Sequence, residues 1–165
     1  MKAIVVYESL WGNTALIAQA IAEGIGPDAR ALSTAQASPA DAAAADLIVA
    51  GAPLLGFSLP TESMREGIRT SPGNAPSPAD LSAPPMRTWL ESLAPGSGCC
   101  AGFETRIWWS PGSAAKQIAS GLERLGYRIV ADPGKFVVSG KYGPLKAGEL
   151  ERARTWGAQL AESVG

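Results

Sequence analysis

"AIVVYESLWGNTALIAQAIAEGI", Ala3 to Ile25, passes through three kinds of pattern in quick succession. The run from Lys2 to Tyr7 carries β-branched Ile4, Val5 and Val6 side by side, as a strand covered on both faces does. From Asn13 onward Leu16, Ile17, Ala20, Ile21 and Ile25 recur at helical spacing, and Gly24 and Gly26 close the pattern. Between them, Glu8 to Thr14 holds two hydroxyls, an amide and a glycine, and neither Lys nor Arg. Strand, polar turn and helix in that order begin a parallel α/β fold.

The rest of the chain repeats the alternation. Ala29 to Leu32 reads as a second short strand, and Ser38-Pro39-Ala40-Asp41 as a capped helical start with proline at the first helical position. Asp46 to Gly51 is another buried strand, running into the loop "GAPLLGF", Gly51 to Phe57. Phe57 to Pro85 is rich in Pro, Ser and Gly, with one helical turn around Thr61 to Ile68; connections this long are usually functional or mobile. Met86 to Leu93 reads as helix, Gly98 to Phe103 as strand, and Glu104 to Pro111, "ETRIWWSP", as a loop before a helix that Ser113 caps and Leu125 ends. Tyr127 to Val130 and Lys135 to Val138 look like two parts of one last strand, broken by Asp132-Pro133-Gly134, before a final helix from Glu149 to Ser163. The expectation is a single domain, residues 1–165, with a doubly wound five-stranded parallel sheet and helices on both faces. Ligands of such sheets sit at the carboxyl ends of the strands, where strand order reverses. That edge carries Glu8 to Thr14, Ala52 to Phe57 and Glu104 to Pro111.

A helix N-terminus presents unpaired N–H groups and the positive end of a dipole, so it holds a phosphate without a formal cation. Ser9, Asn13 and Thr14 add donors, and Gly12 lets backbone approach closely. Such a neutral cradle suits a phosphomonoester that is bound but not transferred. The P-loop lysine is absent and there is no G-x-G-x-x-G, which disfavours phosphoryl transfer and Rossmann-type dinucleotide binding. The competing reading is that Ser9, Asn13 and Thr14 merely cap the helix.

Val5-Val6-Tyr7-Glu8-Ser9-Leu10-Trp11-Gly12-Asn13-Thr14, with Ala18 and Ile21 beyond it, resembles the flavodoxin signature, and the order of elements agrees along essentially the whole chain. The resemblance implies a flavodoxin-like fold, noncovalent FMN, and one- or two-electron chemistry at its isoalloxazine. It makes Ser9, Leu10, Trp11, Gly12, Asn13 and Thr14 the phosphate loop. Trp11 stands where short-chain flavodoxins usually have Thr, as in the flavodoxin domains of flavodiiron proteins, and one hydroxyl contact is lost there. The same resemblance makes Pro53, Leu54, Leu55, Gly56 and Phe57 the first ring-binding loop, although Leu54 and Leu55 replace the usual Thr and aromatic or polar residue; backbone N–H donors to the ring remain available. Thr105, Arg106, Trp108 and Trp109 fall in the second ring-binding loop. Trp108 or Trp109 stacks on the flavin, or else both pack the sheet edge or a subunit interface. Arg106 reads more as an ordinary surface partner of Glu104 than as a substrate contact.

Composition narrows the chemistry. Across 165 residues the net charge is −1, which shows no nucleic-acid footprint. Histidine is absent, removing Ser-His and Cys-His nucleophile pairs and histidine metal ligands. Cys99 and Cys100 are adjacent, outside any metal or redox spacing, so a structural thiol pair in a reduced, cytoplasmic setting is expected, with a vicinal disulfide as the alternative. No segment reads as a signal peptide or membrane span. No metal and no catalytic side chain is assigned, consistent with chemistry that belongs to a cofactor. The expected partners are a redox protein or a small electron acceptor such as a quinone, and the long segment Phe57 to Pro85 covers the flavin, builds a homo-oligomer interface or is passive. Flavodoxins that shuttle electrons are usually strongly acidic, and this chain is not. The alternative function is a flavodoxin-like scaffold that has lost FMN and serves as a binding or interaction module.

Overall fold

The computed structural model describes all residues from Met1 to Gly165. Its elements run β1 (Ala3–Tyr7), α1 (Asn13–Ile25), β2 (Ala29–Ser33), α2 (Pro39–Ala44), β3 (Leu47–Pro53), α3 (Glu62–Thr70), α4 (Met86–Glu91), β4 (Cys99–Arg106), α5 (Ala114–Arg124), β5 (Arg128–Ile129), β6 (Gly134–Val137) and α6 (Glu149–Val164). Every ladder is parallel, in the order β2-β1-β3-β4-β5, with β6 also paired to β4. β5 pairs with the start of β4 at Cys99 and Cys100, and β6 with its end from Phe103 to Arg106. The two therefore share one sheet position, the broken last strand expected from the sequence.

The pleat sends alternate residues to two cores. Val5, Val49 and Phe103 join Ile17, Ile21 and Leu160 on the face covered by α1 and α6. Ile4, Ile48 and Cys100 join Met86, Trp89, Ile118 and Leu122 on the face covered by α4 and α5. Cys99 and Cys100 fall on opposite faces for the same reason, and both are free and buried rather than joined in a vicinal disulfide. Burial, helped by the nearby Glu123 charge, pushes the Cys100 thiol up to about 11. α1 and α6 touch backbone to backbone: a Cβ on Gly24 would lie 2.0 Å from the Arg154 carbonyl oxygen, and one on Gly157 2.3 Å from that of Ile21.

Two expectations change. β4 continues through Glu104, Thr105 and Arg106, which the sequence alone places in a loop. The extension follows from pairing on both sides, to Ala52 and Pro53 of β3 and to Lys135–Val137 of β6. The segment from Phe57 to Pro85 also holds more structure than one turn. α3 is capped by the Thr61 hydroxyl, and Arg65 from it is buried. Its guanidinium pairs with Glu8 at 2.8 Å and donates to the carbonyls of Ala83 and Leu81 at 2.7 and 3.3 Å. Glu8 accepts in turn from the N–H of Met86 at 2.9 Å, and the Asp80 N–H donates to the Leu10 carbonyl at 2.8 Å. The segment is thus tied to the end of β1.

Candidate functional site

Strand order reverses between β1 and β3, and at their carboxyl ends, together with that of β4, lies a cavity of about 190 Å³. Its first wall is the turn from β1 into α1. Gly12, at φ +94°, is the N-cap of α1 and offers no side chain. Ser9 takes over the capping: its Oγ accepts from the N–H groups of Gly12 and Ala15, both at 3.2 Å. The capping reading of Ser9 is therefore correct, and it leaves the loop preformed. Asn13 Nδ2 donates to the Tyr142 carbonyl at 3.2 Å, and Thr14 Oγ1 lies 2.8 Å from Thr105 Oγ1 on β4. The N–H groups of Leu10, Trp11, Asn13 and Thr14 have no acceptor in the protein. Trp11 Nε1 is also buried without a partner, although its ring sits edge-on to Tyr142 at 4.8 Å between centroids.

The second wall follows β3. Leu54 donates its N–H to the Thr105 carbonyl at 2.9 Å, and Leu55 and Ser58 exchange two backbone bonds at 3.0 Å. Gly56 at φ +51° and Phe57 at φ +67° are the central residues of this tight turn, both left-handed as a type I′ turn requires. The N–H groups of Leu54 and Leu55 are thus engaged, while those of Gly56 and Phe57 remain free. The third wall is β4 and the loop after it. Arg106 and Glu104 do pair, at 2.8 Å, but Glu104 is fully buried and the Arg106 side chain only 10% exposed, so the pair is internal and not on the surface. Arg106 also donates to the carbonyls of Ser110 and Gly112, and Glu104 accepts from the Ser113 hydroxyl and the Ala115 N–H. This network fixes the turn that carries Trp108 and Trp109. Gly112, at φ +90°, meets the other loop: a Cβ there would lie 2.0 Å from the Phe57 carbonyl oxygen.

No family model matches the sequence, and no curated protein matches it. Solved structures do. A flavodoxin from the domain Archaea superposes with a TM-score of 0.67 over 99% of each chain at 22% identity. Oxidised flavodoxin 1 from Bacillus cereus gives 0.69 over 98% of each chain at 16% identity. The fold is that of the flavodoxins. The Flv1 flavodiiron core from Synechocystis sp. PCC6803 contains the same arrangement, with a TM-score of 0.63 at 18% identity over 99% of this chain and 36% of its own.

In this flavodoxin-like chain the cavity gathers Leu10, Trp11, Asn13 and Thr14 from the first loop, Pro53 to Gly56 from the second, and Thr105 and Arg106 from β4. Ser9 and Gly12 shape the first loop without lining the cavity. Phe57, Trp108 and Trp109 stand outside its wall, 56%, 69% and 61% exposed, so neither Trp packs the sheet edge. The segment from Phe57 to Pro85 lines none of the cavity and instead backs the loops from behind, with Met64 Cε 3.0 Å from where a Gly56 Cβ would be. The sequence reading did not single out Val138 and Lys141, which line the cavity from the chain after β6. One signal pointed there: that chain leaves the carboxyl end of the last strand, the edge already assigned to ligands. The long helices add nothing membrane-like; none is long and apolar enough to cross a bilayer.

Proposed function

We propose that the chain binds FMN at this edge and works in electron transfer, as a carrier or as a small flavin-dependent oxidoreductase. The observation that carries the reading is the row of acceptor-less N–H groups on Leu10, Trp11, Asn13 and Thr14 around a left-handed Gly12, where a Cβ would meet open space. Two of these N–H groups open α1 and two lie in the turn before it, and such a set at the positive end of a helix fits an anionic oxygen cluster such as a phosphate. Trp11 Nε1 adds a fifth donor, in place of the hydroxyl that the Trp for Thr replacement removes.

The residues present fit the cofactor. Leu10, Trp11, Asn13 and Thr14 would hold the phosphate through backbone, and Ser9, Thr14 and Thr105 keep that backbone in place. At about 190 Å³ the enclosed space is smaller than usual ligand pockets of roughly 300–1,000 Å³, so a flavin would seat its tail inside and leave its ring at the open mouth. There Gly56 and Phe57 present free N–H groups, and Phe57, Trp108 and Trp109 present aromatic surface. Bound FMN supplies one- or two-electron chemistry; the chain's part is to hold the ring edge where a redox protein or a small acceptor such as a quinone reaches it.

The test is the visible absorption spectrum of the purified protein before and after excess FMN and desalting. Retained flavin bands are the expected result, and a reductive titration then separates a one-electron carrier from a two-electron reductase. A protein that stays colourless, and shows no flavin binding in an equilibrium titration, would make it a flavin-free interaction module.

A further inference from the structure

The phosphate cradle contains no cation of its own, yet one charged side chain at the cavity is uncompensated. Arg106 lines it but is engaged by Glu104 and two carbonyls. Lys141 lines it too, and takes part in none of the protein's ion pairs. Its Nζ lies 5.5 Å from the centroid of the neighbouring Tyr142 ring, with no carboxylate to hold it.

The segment that presents Lys141 parts from β4 where the Val138 N–H donates to the Arg106 carbonyl at 2.8 Å, and its far part, Tyr142 and Gly143, docks on the first wall of the cavity. The Tyr142 carbonyl accepts from Asn13 Nδ2, and the Tyr142 ring packs on Trp11. Gly143 fits so closely that a Cβ on it would lie 2.5 Å from Asn13 Oδ1. Backbone bonds from Ser139 to Pro144 (2.8 Å) and from Gly143 to Gly140 (3.0 Å) close the loop on itself. Lys141 therefore sits at the phosphate end, on preformed backbone. We infer that Lys141 supplies the positive charge for the ligand's phosphate and makes this site select FMN over unphosphorylated riboflavin.

This rests on the FMN reading and adds a specificity-determining residue to it. An ammonium group donating to a phosphate oxygen makes a charge-assisted bond, stronger than the neutral N–H contacts of the loop. Riboflavin shares the ring and the ribityl chain but has no phosphate, so removing the charge affects one ligand and spares the other.

The experiment measures dissociation constants of FMN and riboflavin for the apoprotein by flavin fluorescence, in wild type, Lys141→Gln and Lys141→Arg, at low and high salt. Lys141 is exposed, so the variants fold. The expected result is an FMN affinity about tenfold weaker in Lys141→Gln with riboflavin unchanged, a smaller loss in Lys141→Arg, and a shallower salt dependence for FMN in Lys141→Gln. Equal losses for both flavins, or no loss for either, would overturn the assignment while leaving FMN binding intact. A wild-type protein that binds neither flavin would overturn the FMN reading, and this inference with it.

Discussion

If the chain binds FMN as proposed, Gly12 is the residue on which ligand access turns. Its φ of +94° is one an L side chain adopts only with strain, and the space beside it is open. Gly12→Asp is expected to abolish FMN binding, because it sets a carboxylate against the phosphate; unchanged affinity in a fluorescence titration would refute the phosphate-loop assignment. Phe57 is the opposite case, a bulky residue at φ +67° that stays 56% exposed. A bulky left-handed residue costs roughly 1–2 kcal/mol, a strain that persists where function holds it. Phe57→Asn is therefore expected to raise the stability measured by urea unfolding by up to about 1 kcal/mol, although it deletes an aromatic side chain, and to weaken flavin binding. At this scale the sequence was informative wherever the constraint was local. Gly12 between a strand and a helix announces a close approach, whereas nothing around Phe57 signals a type I′ turn, since Gly56-Phe57 is not among the pairs that favour one.

Among the elements, α3 and the segment around it are anchored by one buried charge pair. Glu8 and Arg65 have side-chain exposures of 1% and 4%, and between them they bind α3, the Leu81 and Ala83 carbonyls and the start of α4. Breaking a buried pair from one side leaves an unpaired charge and costs about 3–5 kcal/mol. Glu8→Ala and Arg65→Ala are each expected to lose that much in urea unfolding, and Glu8→Ala/Arg65→Ala together much less than the sum. Additive losses would show that the two side chains act independently. The pair also holds the backbone just before the proposed phosphate loop, so Arg65→Ala is expected to weaken FMN binding from a position outside the cavity. None of this was legible in advance. A lone glutamate after a strand suits a solvent-facing residue or a ligand contact equally well, and its partner lies 57 residues on. The alternation of strands and helices was legible, because each element declares its own periodicity. The true end of β4 was not, because Glu104 to Arg106 are strand only by virtue of their neighbours.

The pH response of the molecule as a whole follows from which groups burial and hydrogen bonding have moved. Asp41 is drawn down to about 2, first by the Ser38 backbone N–H and then by its hydroxyl; Asp80 is lowered by Ser82 and Glu149 by Arg152. Groups lowered in the folded state contribute stability above their ordinary values of 3.8 to 4.5, and that contribution is lost as the pH falls through the folded ones. Cys100, raised to about 11, and Tyr127, also raised by burial, contribute below their ordinary values of 9.0 and 10.0 and lose it as the pH climbs through the folded ones. With no histidine in between, the urea midpoint is expected to be level from about pH 5.5 to 8.5 and to fall on both sides. A marked slope near pH 6.5 would contradict this. The backbone contact of Gly24 and Gly157 has a consequence in time. α1 carries the cradle at its front end, and its flank is completed by α6, a helix synthesised long after it. A nascent chain arrested before Glu149 would leave Ile17 and Ile21 uncovered on that side, so the cradle is expected to mature only after residues 149–164 have left the ribosome, and cofactor capture to follow the synthesis of α6.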